Sequence, residues 1–463
     1  MRIPAGEEAV VSRDRLGLEP LVYAPFDGGV AVGKTYDDLF STGLIPKRWR
    51  RDAMTDFLAA GVVVFPEGET FFEGVFEVPP GCDLRLSSGK AVVAARDLLP
   101  DATEEFGAEA LPQLRERLAD AVDGIGQDAA LCLSGGLDSS SVAAAWARRG
   151  KPRCFIYGAP GSEDREAARE TAEALGLRPD LPEFGETAGL DELRRMLRVL
   201  EIPTHIPGAP LPQFRLMESM ARSGVRTVVS GQGGDELFCG YPWHFPPAME
   251  KLRRRDPETA ARLEALHEEH PPFPVLDLRI VRRCFTRTAS WVAFSDGGAC
   301  DALGLSREEA AARDGVRFFA ADLGDWDRLR RQGLTVRSLR YLLHYDCRLA
   351  NHFGLKGRAP LLDDGVVDLV SRFRLDFLYG EGLLKYPLRR LFPEVPERVR
   401  FQTRKTGFWH SGPSLPDLRP EVRRLIAATR LGDVVVRPEA VERMNAGALW
   451  RFFAAGTLME ADS

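Results

Sequence analysis

The chain reads as an α/β protein whose larger part is a doubly wound parallel sheet with helices, preceded by a smaller β-rich domain. Three observations predict this. A buried apolar run, Ala129-Ala130-Leu131-Cys132-Leu133, turns through Ser134-Gly135-Gly136-Leu137-Asp138-Ser139-Ser140 into the helix-forming stretch Val142 to Gly150. A second β-branched run, Val225 to Ser230, turns through Gly231-Gln232-Gly233-Gly234-Asp235. Around both, short apolar strands alternate with helical patterns of roughly 10–15 residues, the signature of crossover-connected parallel strands.

Taken in chain order, residues 1–100 carry helical periodicity only from Tyr36 to Ala60 and otherwise show short alternating runs. Gly61 to Phe65, Thr70 to Val78, Asp83 to Leu86 and Lys90 to Ala94 are expected as antiparallel strands. A helix is expected over Leu111 to Val122, with Pro112 in its first turn, leading into the strand before Ser134. A second strand follows at Cys154 to Gly158, then a helix from Glu163 to Leu175 ended by Gly176, and a helix from Phe214 to Ser223. In 242–330 the basic run Leu252-Arg253-Arg254-Arg255-Asp256 lies on a helix among acids and reads as a solvated face. From Val336 to Phe377 an amphipathic pattern returns, and the last hundred residues are helical with breaks at Pro393, Pro396 and Pro413.

A strand that turns on glycines into a helix start aims free backbone N–H groups and the positive end of a helix dipole at one point, which suits a phosphate. The lysine of a Walker A loop is absent, and Asp138 stands where a hard cation could be held against phosphates. In a parallel sheet, ligands gather at the carboxyl ends of strands, so the second glycine turn, with Asp235, can face the same crevice. Asp138 and Asp235 are therefore metal candidates, with a helix N-cap as the ordinary structural alternative for each.

Ser134 to Ser140 resembles the loop of the ATP pyrophosphatases, which split ATP between its α and β phosphates. Residues 192–241, with Glu201-Ile202-Pro203, resemble asparagine synthetases, and Gly357-Arg358-Ala359-Pro360-Leu361-Leu362-Asp363 resembles their RVPFLD segment. This resemblance implies ATP and Mg²⁺ as the cofactors, the ion on Asp138 and Asp235. It implies pyrophosphate contacts from Ser134, Gly135, Gly136, Ser139 and Ser140, and a nucleotide surrounded by Leu133, Tyr157, Ser230, Gly231 and Gly233. Lys385, in Leu384-Lys385-Tyr386-Pro387, and Lys405, in Arg404-Lys405-Thr406-Gly407, match the lysine pair that asparagine and β-lactam synthetases hold over the phosphates. Lys405 is implied to stabilise the adenylation and acyl-transfer transition states, and Lys385 to contact pyrophosphate.

Residues 56–61, 69–75 and 78–81 resemble the closing half of a glutamine amidotransferase domain. Such a glutaminase needs an N-terminal cysteine; position 2 here is Arg2 and the first cysteine is Cys82, so no glutamine hydrolysis is expected. The expected division is 1–104, a truncated amidotransferase-like domain, and 105–463, the adenylating synthetase domain. Before Gly233, where asparagine synthetases carry a glutamate, stands Gln232, which cannot act as a base; at Lys356 they commonly carry glutamate. By elimination the chain most resembles the lasso peptide macrocyclases, which adenylate an Asp or Glu side chain of a precursor peptide and let its N-terminal amine close the ring. A leader-binding protein and a leader peptidase are the implied partners. A small-molecule amide synthetase, β-lactam synthetase-like or ammonia-using, is the alternative, and a non-catalytic nucleotide-binding paralogue a remote one.

The 463 residues, 44% hydrophobic and 28% charged, suffice for two or three domains. A net charge of −6 offers no blanket attraction to nucleic acid. The absence of a long apolar run and of a signal-peptide pattern at Met1-Arg2-Ile3-Pro4 leads to an expectation of no membrane partner and a cytoplasmic location. Seven scattered cysteines without a CxxC pair predict neither disulfides nor zinc.

Overall fold

The computed structural model describes residues 2–4, 8–87, 90–96, 99, 103–205, 210–269, 288–320, 325–402 and 414–461. Seven short strands open the chain: β1 (Arg2–Pro4), β2 (Ala9–Ser12), β3 (Val22–Phe26), β4 (Gly29–Gly33), β5 (Phe76–Glu77), β6 (Cys82–Ser87) and β7 (Lys90–Ala95). They pair antiparallel in two sheets, ordered β1-β4-β3-β5 and β2-β6-β7. Alternation explains the layering. Tyr23, Val30 and Val32 meet Leu84 and Leu86 in one core between the sheets. Val22, Ala24 and Ala31, on the opposite face, join a second core with α1 (Tyr36–Phe40) and α2 (Arg51–Ala60).

One expected strand does not form and another is cut short. Residues 61–65 belong to no strand, although Val62, Val63, Val64 and Phe65 are all buried. Gly61 ends α2 in the left-handed conformation (φ 71°), and the run that follows is buried in the same core as the helix Ala446–Glu460. Of Thr70 to Val78, only Phe76 and Glu77 enter a sheet.

The larger part contains a five-stranded parallel sheet in the order β10-β9-β8-β11-β12. Its strands are β8 (Ala129–Leu133), β9 (Arg153–Ile156), β10 (Pro179–Asp180), β11 (Thr227–Val229) and β12 (Lys356–Arg358). The helices that flank β8 to β11 in the chain are α3 (Leu111–Val122), α4 (Leu137–Ala147), α5 (Glu163–Ala174), α6 (Leu190–Leu200), α7 (Pro210–Arg222) and the single turn α8 (Gly234–Leu237), and further helices, Phe245–Arg255 to Ser338–His352, lead on to β12. The chain winds outward from β8 to β10, then returns to place β11 on the other side of β8. The strand order therefore reverses between β8 and β11, the position where open α/β sheets bind ligands. The basic run of the helix Phe245–Arg255 lies on the surface, with Arg253 paired to Glu250 and Glu264 and Arg255 to Glu104.

A buried charge network joins the two parts. Glu77 receives Arg340 at 2.7 Å, lies 3.6 Å from Arg13, and accepts from the Tyr36 hydroxyl at 3.3 Å. Burial opposes ionisation of Glu77, but Arg340 and then Arg13 outweigh it and hold its carboxyl far below the usual range. Glu201, in the left-handed conformation after α6, accepts from the Tyr36 and Asp37 amides at 3.0 and 3.1 Å and pairs with Arg348 at 3.1 Å.

Candidate active site

The turns after β8 and β11 open into one cleft of about 880 Å³. Ser134, Gly136, Asp138, Ser139, Ser230, Gly231, Gly233, Asp235 and Lys385 all line it. In the first turn the Ser134 and Ser139 hydroxyls lie 2.9 Å apart, the Ser139 hydroxyl accepts from the Ser134 amide at 3.1 Å, and Ser139 donates to the Gly136 carbonyl at 3.2 Å. Gly135 adopts φ 79°, and a Cβ there would strike the Asp164 carbonyl at 2.2 Å, so the turn closes on α5 only with glycine.

The second turn packs directly on the first. A Cβ at Gly231 would lie 2.6 Å from the Ser139 nitrogen, and one at Gly234 only 2.4 Å from Asp138 Cγ. Gly233 (φ 85°) admits Leu362, whose Cδ2 would lie 2.1 Å from an added Cβ. The segment resembling RVPFLD thus seats against the loop, with the Ser230 amide donating to Arg358 O at 3.0 Å.

The two carboxylates meet on one cation. Lys385 Nζ lies 2.6 Å from Asp138 Oδ2 and 2.8 Å from Asp235 Oδ1. Burial lowers the affinity of this ammonium for its proton, but Asp138 and Asp235 outweigh that and keep its pKa above the ordinary lysine value. Lys385 holds a left-handed backbone (φ 56°, ψ 33°) at the start of the helix Tyr386–Leu391, a conformation a non-glycine residue adopts at a cost. Arg389 fixes the segment by donating to the carbonyls of Leu384, Arg400 and Gln402 at 2.7, 2.6 and 2.9 Å. Burial lowers the Arg389 pKa to about 10, against the pull of Asp138.

Ser140, Tyr157 and Leu133 are not part of the cleft wall. The Ser140 hydroxyl is turned inward, 3.5 Å from Thr171 on α5, because one further step around α4 carries it to the buried face. Tyr157 is buried and stacked on Phe184 at 5.1 Å, beside Arg215, and is not part of the cleft wall. The side chain of Leu133 is buried within β8. Lys405, like Cys284 and Pro413, lies outside the described residues. Lys356 is exposed and lines the cleft.

The cleft also contains residues that the motifs did not identify. Gln213, Glu236, Tyr241 and Asp346 line its wall, as do Asp14, Leu18, Glu19 and Lys34 from the N-terminal part. Tyr241 donates to Glu236 at 2.7 Å. Burial, then Glu236 and Asp235, raise the Tyr241 hydroxyl well above its ordinary pKa. A signal for Asp346 exists in the sequence: it interrupts the apolar face Leu342, Leu343, Leu349 and Ala350 at helical spacing.

Among the described residues, no group of three or more His, Cys, Asp or Glu side chains could hold a metal ion. The six described cysteines are free, and no helix is long and apolar enough to cross a membrane.

The asparagine synthase profile matches residues 113–454, and the glutamine amidotransferase domain profile matches residues 5–95. A Mycobacterium tuberculosis protein provisionally named a glutamine-hydrolysing asparagine synthetase is 26% identical over 440 residues, covering 87% of this chain and 64% of its own. Asparagine synthetase 2 of Lotus japonicus and the nodule enzyme of Pisum sativum, both named glutamine-hydrolysing, are 33% and 35% identical over 151 and 149 residues, 29% of this chain and 25% of theirs. The chain thus spans about a quarter of the plant relatives and under two thirds of the mycobacterial one. With a family match covering most of its length, built around the two glycine turns, this chain belongs to the asparagine synthase family.

Proposed function

We propose that the chain is an ATP-dependent, AMP-forming carbon–nitrogen ligase. Its substrate is a precursor peptide whose Asp or Glu side chain is adenylated and then joined to the peptide's own N-terminal amine, the macrolactam of a lasso peptide. The observation that carries the ligase reading is the convergence of Asp138 and Asp235, from two glycine turns at the sheet's reversal point, on Lys385.

The donor set suits Mg²⁺, which binds through one or two carboxylates plus substrate phosphates. Asp138 and Asp235 are hard oxygen donors already sharing one cation, and they would hold the ion, which neutralises phosphate charge when bound. Ser134 and Ser139 present hydroxyls to the phosphates. A substrate carboxylate attacks the α-phosphorus, the bond to the β-phosphate oxygen breaks, and pyrophosphate leaves. The Lys385 ammonium, released from its bridge, meets the charge that builds on the departing group. Arg389 keeps Lys385 in place through three backbone carbonyls.

Several features support a peptide in preference to aspartate and ammonia. Gln232 stands where the family's asparagine-forming members carry glutamate. In the N-terminal part, Cys82 is buried in β6, and burial followed by Asp83 pushes its thiol up, the opposite of an activated nucleophile. That part instead supplies Asp14, Leu18, Glu19 and Lys34 to the cleft wall, side chains that a bound peptide could contact.

The test is to incubate the protein with ATP, Mg²⁺ and a lasso-type precursor peptide, together with a leader-binding protein and a leader peptidase, taking any that its gene neighbourhood encodes. A product lighter by one water, with AMP and pyrophosphate in equal amounts, is the expected result. Release of ADP and phosphate overturns the chemistry; turnover only with ammonia or a free amino acid moves the substrate to a small molecule.

A further inference from the structure

The helix Ser338–His352 presents Leu342, Leu343, Asp346 and Ala350 to the cleft, so Asp346 is a carboxyl set into an otherwise uncharged strip. Its Oδ1 is shielded from solvent and accepts no hydrogen bond. The carboxyl is oriented from α7 by the side chain of Gln213, and Glu236 of α8 adds a second carboxylate nearby. Glu236 is buried and takes the Tyr241 hydroxyl. Gln232, which lines the same cleft from the turn after β11, likewise has its amide nitrogen buried with no acceptor. The cleft lining thus includes an open acceptor and an open donor, in a cavity shared with the phosphate turns. Buried polar groups are normally satisfied, so an unmatched pair in a substrate cleft marks where a ligand's own donor and acceptor belong.

We infer that Asp346 is the proton acceptor for the attacking amine, with Gln232 donating to the acyl oxygen; this rests on the ligase reading above. The amine arrives as an ammonium, attracted to Asp346 and Glu236. One N–H proton passes to Asp346, leaving a neutral amine and a protonated carboxyl. The nitrogen lone pair forms the C–N bond, the acyl C–O bond to phosphorus breaks with its electron pair going to AMP, and the second excess proton leaves to solvent.

The surroundings suit this task. Burial raises the Asp346 carboxyl to about 7, Glu236 adding to the rise and Gln213 opposing it. Cys132 of β8 and Cys347 on the same helix are pushed up to about 12 by burial, with Asp346 contributing, and stay neutral. Tyr241 stays neutral as well, while Lys356 and Arg358 of β12 stand exposed at the rim. Asp346 therefore changes charge in the range where an amine must be deprotonated.

The experiment compares wild type with Asp346→Asn on a synthetic peptide bearing a free N-terminal amine and one internal aspartate or glutamate. Three signals are read: peptide-dependent exchange of labelled pyrophosphate into ATP, ring closure by mass, and hydroxamate formation on adding hydroxylamine, which is largely unprotonated at neutral pH. Expected for Asp346→Asn are exchange and hydroxamate within a few-fold of wild type and ring closure lowered by about 100-fold or more. Ring closure in wild type should fall as pH drops through about 7, with that limb absent in the variant. Ring closure in Asp346→Asn at the wild-type rate with an unchanged pH profile overturns the role of Asp346 and leaves the ligase reading standing. Parallel loss of exchange, hydroxamate and ring closure also overturns it, since the residue would then serve adenylation or folding. No peptide-dependent exchange in wild type refutes the ligase reading itself, and the inference with it.

Discussion

Gly234→Ala is a one-methyl probe of the candidate site. Gly234 is in the helical turn α8, so alanine suits its backbone and brings up to about 1 kcal/mol of helix propensity. The added Cβ, however, lies 2.4 Å from Asp138 Cγ and 2.6 and 2.9 Å from its two oxygens, where ordinary contact begins at 3.4 Å. The Asp138 carboxylate must therefore retreat by about 1 Å, because α4 behind it is packed through Ser139 and Ser140. Misplacing a catalytic group by about 1 Å can lower a rate about a hundredfold, equivalent to about 2.7 kcal/mol of activation free energy. Substrate-dependent AMP formation should fall by that order while the melting temperature moves little, the helix gain offsetting the weakened contact with Lys385. Asp138→Asn should give a similar loss, and the double variant should lose little more than either alone, since both act on the same carboxylate. Turnover of Gly234→Ala within threefold of wild type would show that the position of Asp138 does not govern the chemistry.

Lys385→Met should keep ATP binding by calorimetry yet lower AMP formation about 10²–10³-fold, and arginine should not restore it, because a planar fork cannot replace a compact ammonium between two carboxylates. Glu77→Gln leaves Arg340 and Arg13 buried without their carboxylate, so urea unfolding at pH 7 should show a loss of about 3–5 kcal/mol. Because the folded pKa of Glu77 is depressed, its contribution is full above the unfolded value near 4.5 and shrinks as pH falls below it; a difference between variant and wild type that is constant from pH 7 to pH 2 refutes the assignment. Asp346 has the opposite sign. Its folded pKa, about 7, exceeds the unfolded 3.8, so ionisation penalises the folded state, and Asp346→Asn should be more stable than wild type at pH 8 by roughly 1–3 kcal/mol. That gain should shrink as pH falls through 7; an equal gain at pH 5 and pH 8 argues that the carboxyl does not titrate there.

Much of this molecule was determined by its sequence alone. The helix Leu111–Val122, the strand Ala129–Leu133 and the glycine turn after it occur where periodicity and composition put them, because each is decided by local backbone preference and a regular apolar face. Membership of the asparagine synthase family was legible in the same turns. The apolar run 61–65 was not legible as a non-strand, since apolar composition records burial and not whether the burying partner is a strand or a helix. Only the tertiary structure brought Lys385 to Asp138, 247 positions away in the chain, and paired it with Asp235. The same holds for Glu201, a motif residue that caps α1 from the other part of the chain, and for Asp346, whose open oxygen depends on where α7 and α8 pass. The cause is topological: the sheet order puts β8 beside β11 and so merges two distant turns into one cleft, and no local pattern in either turn encodes that adjacency.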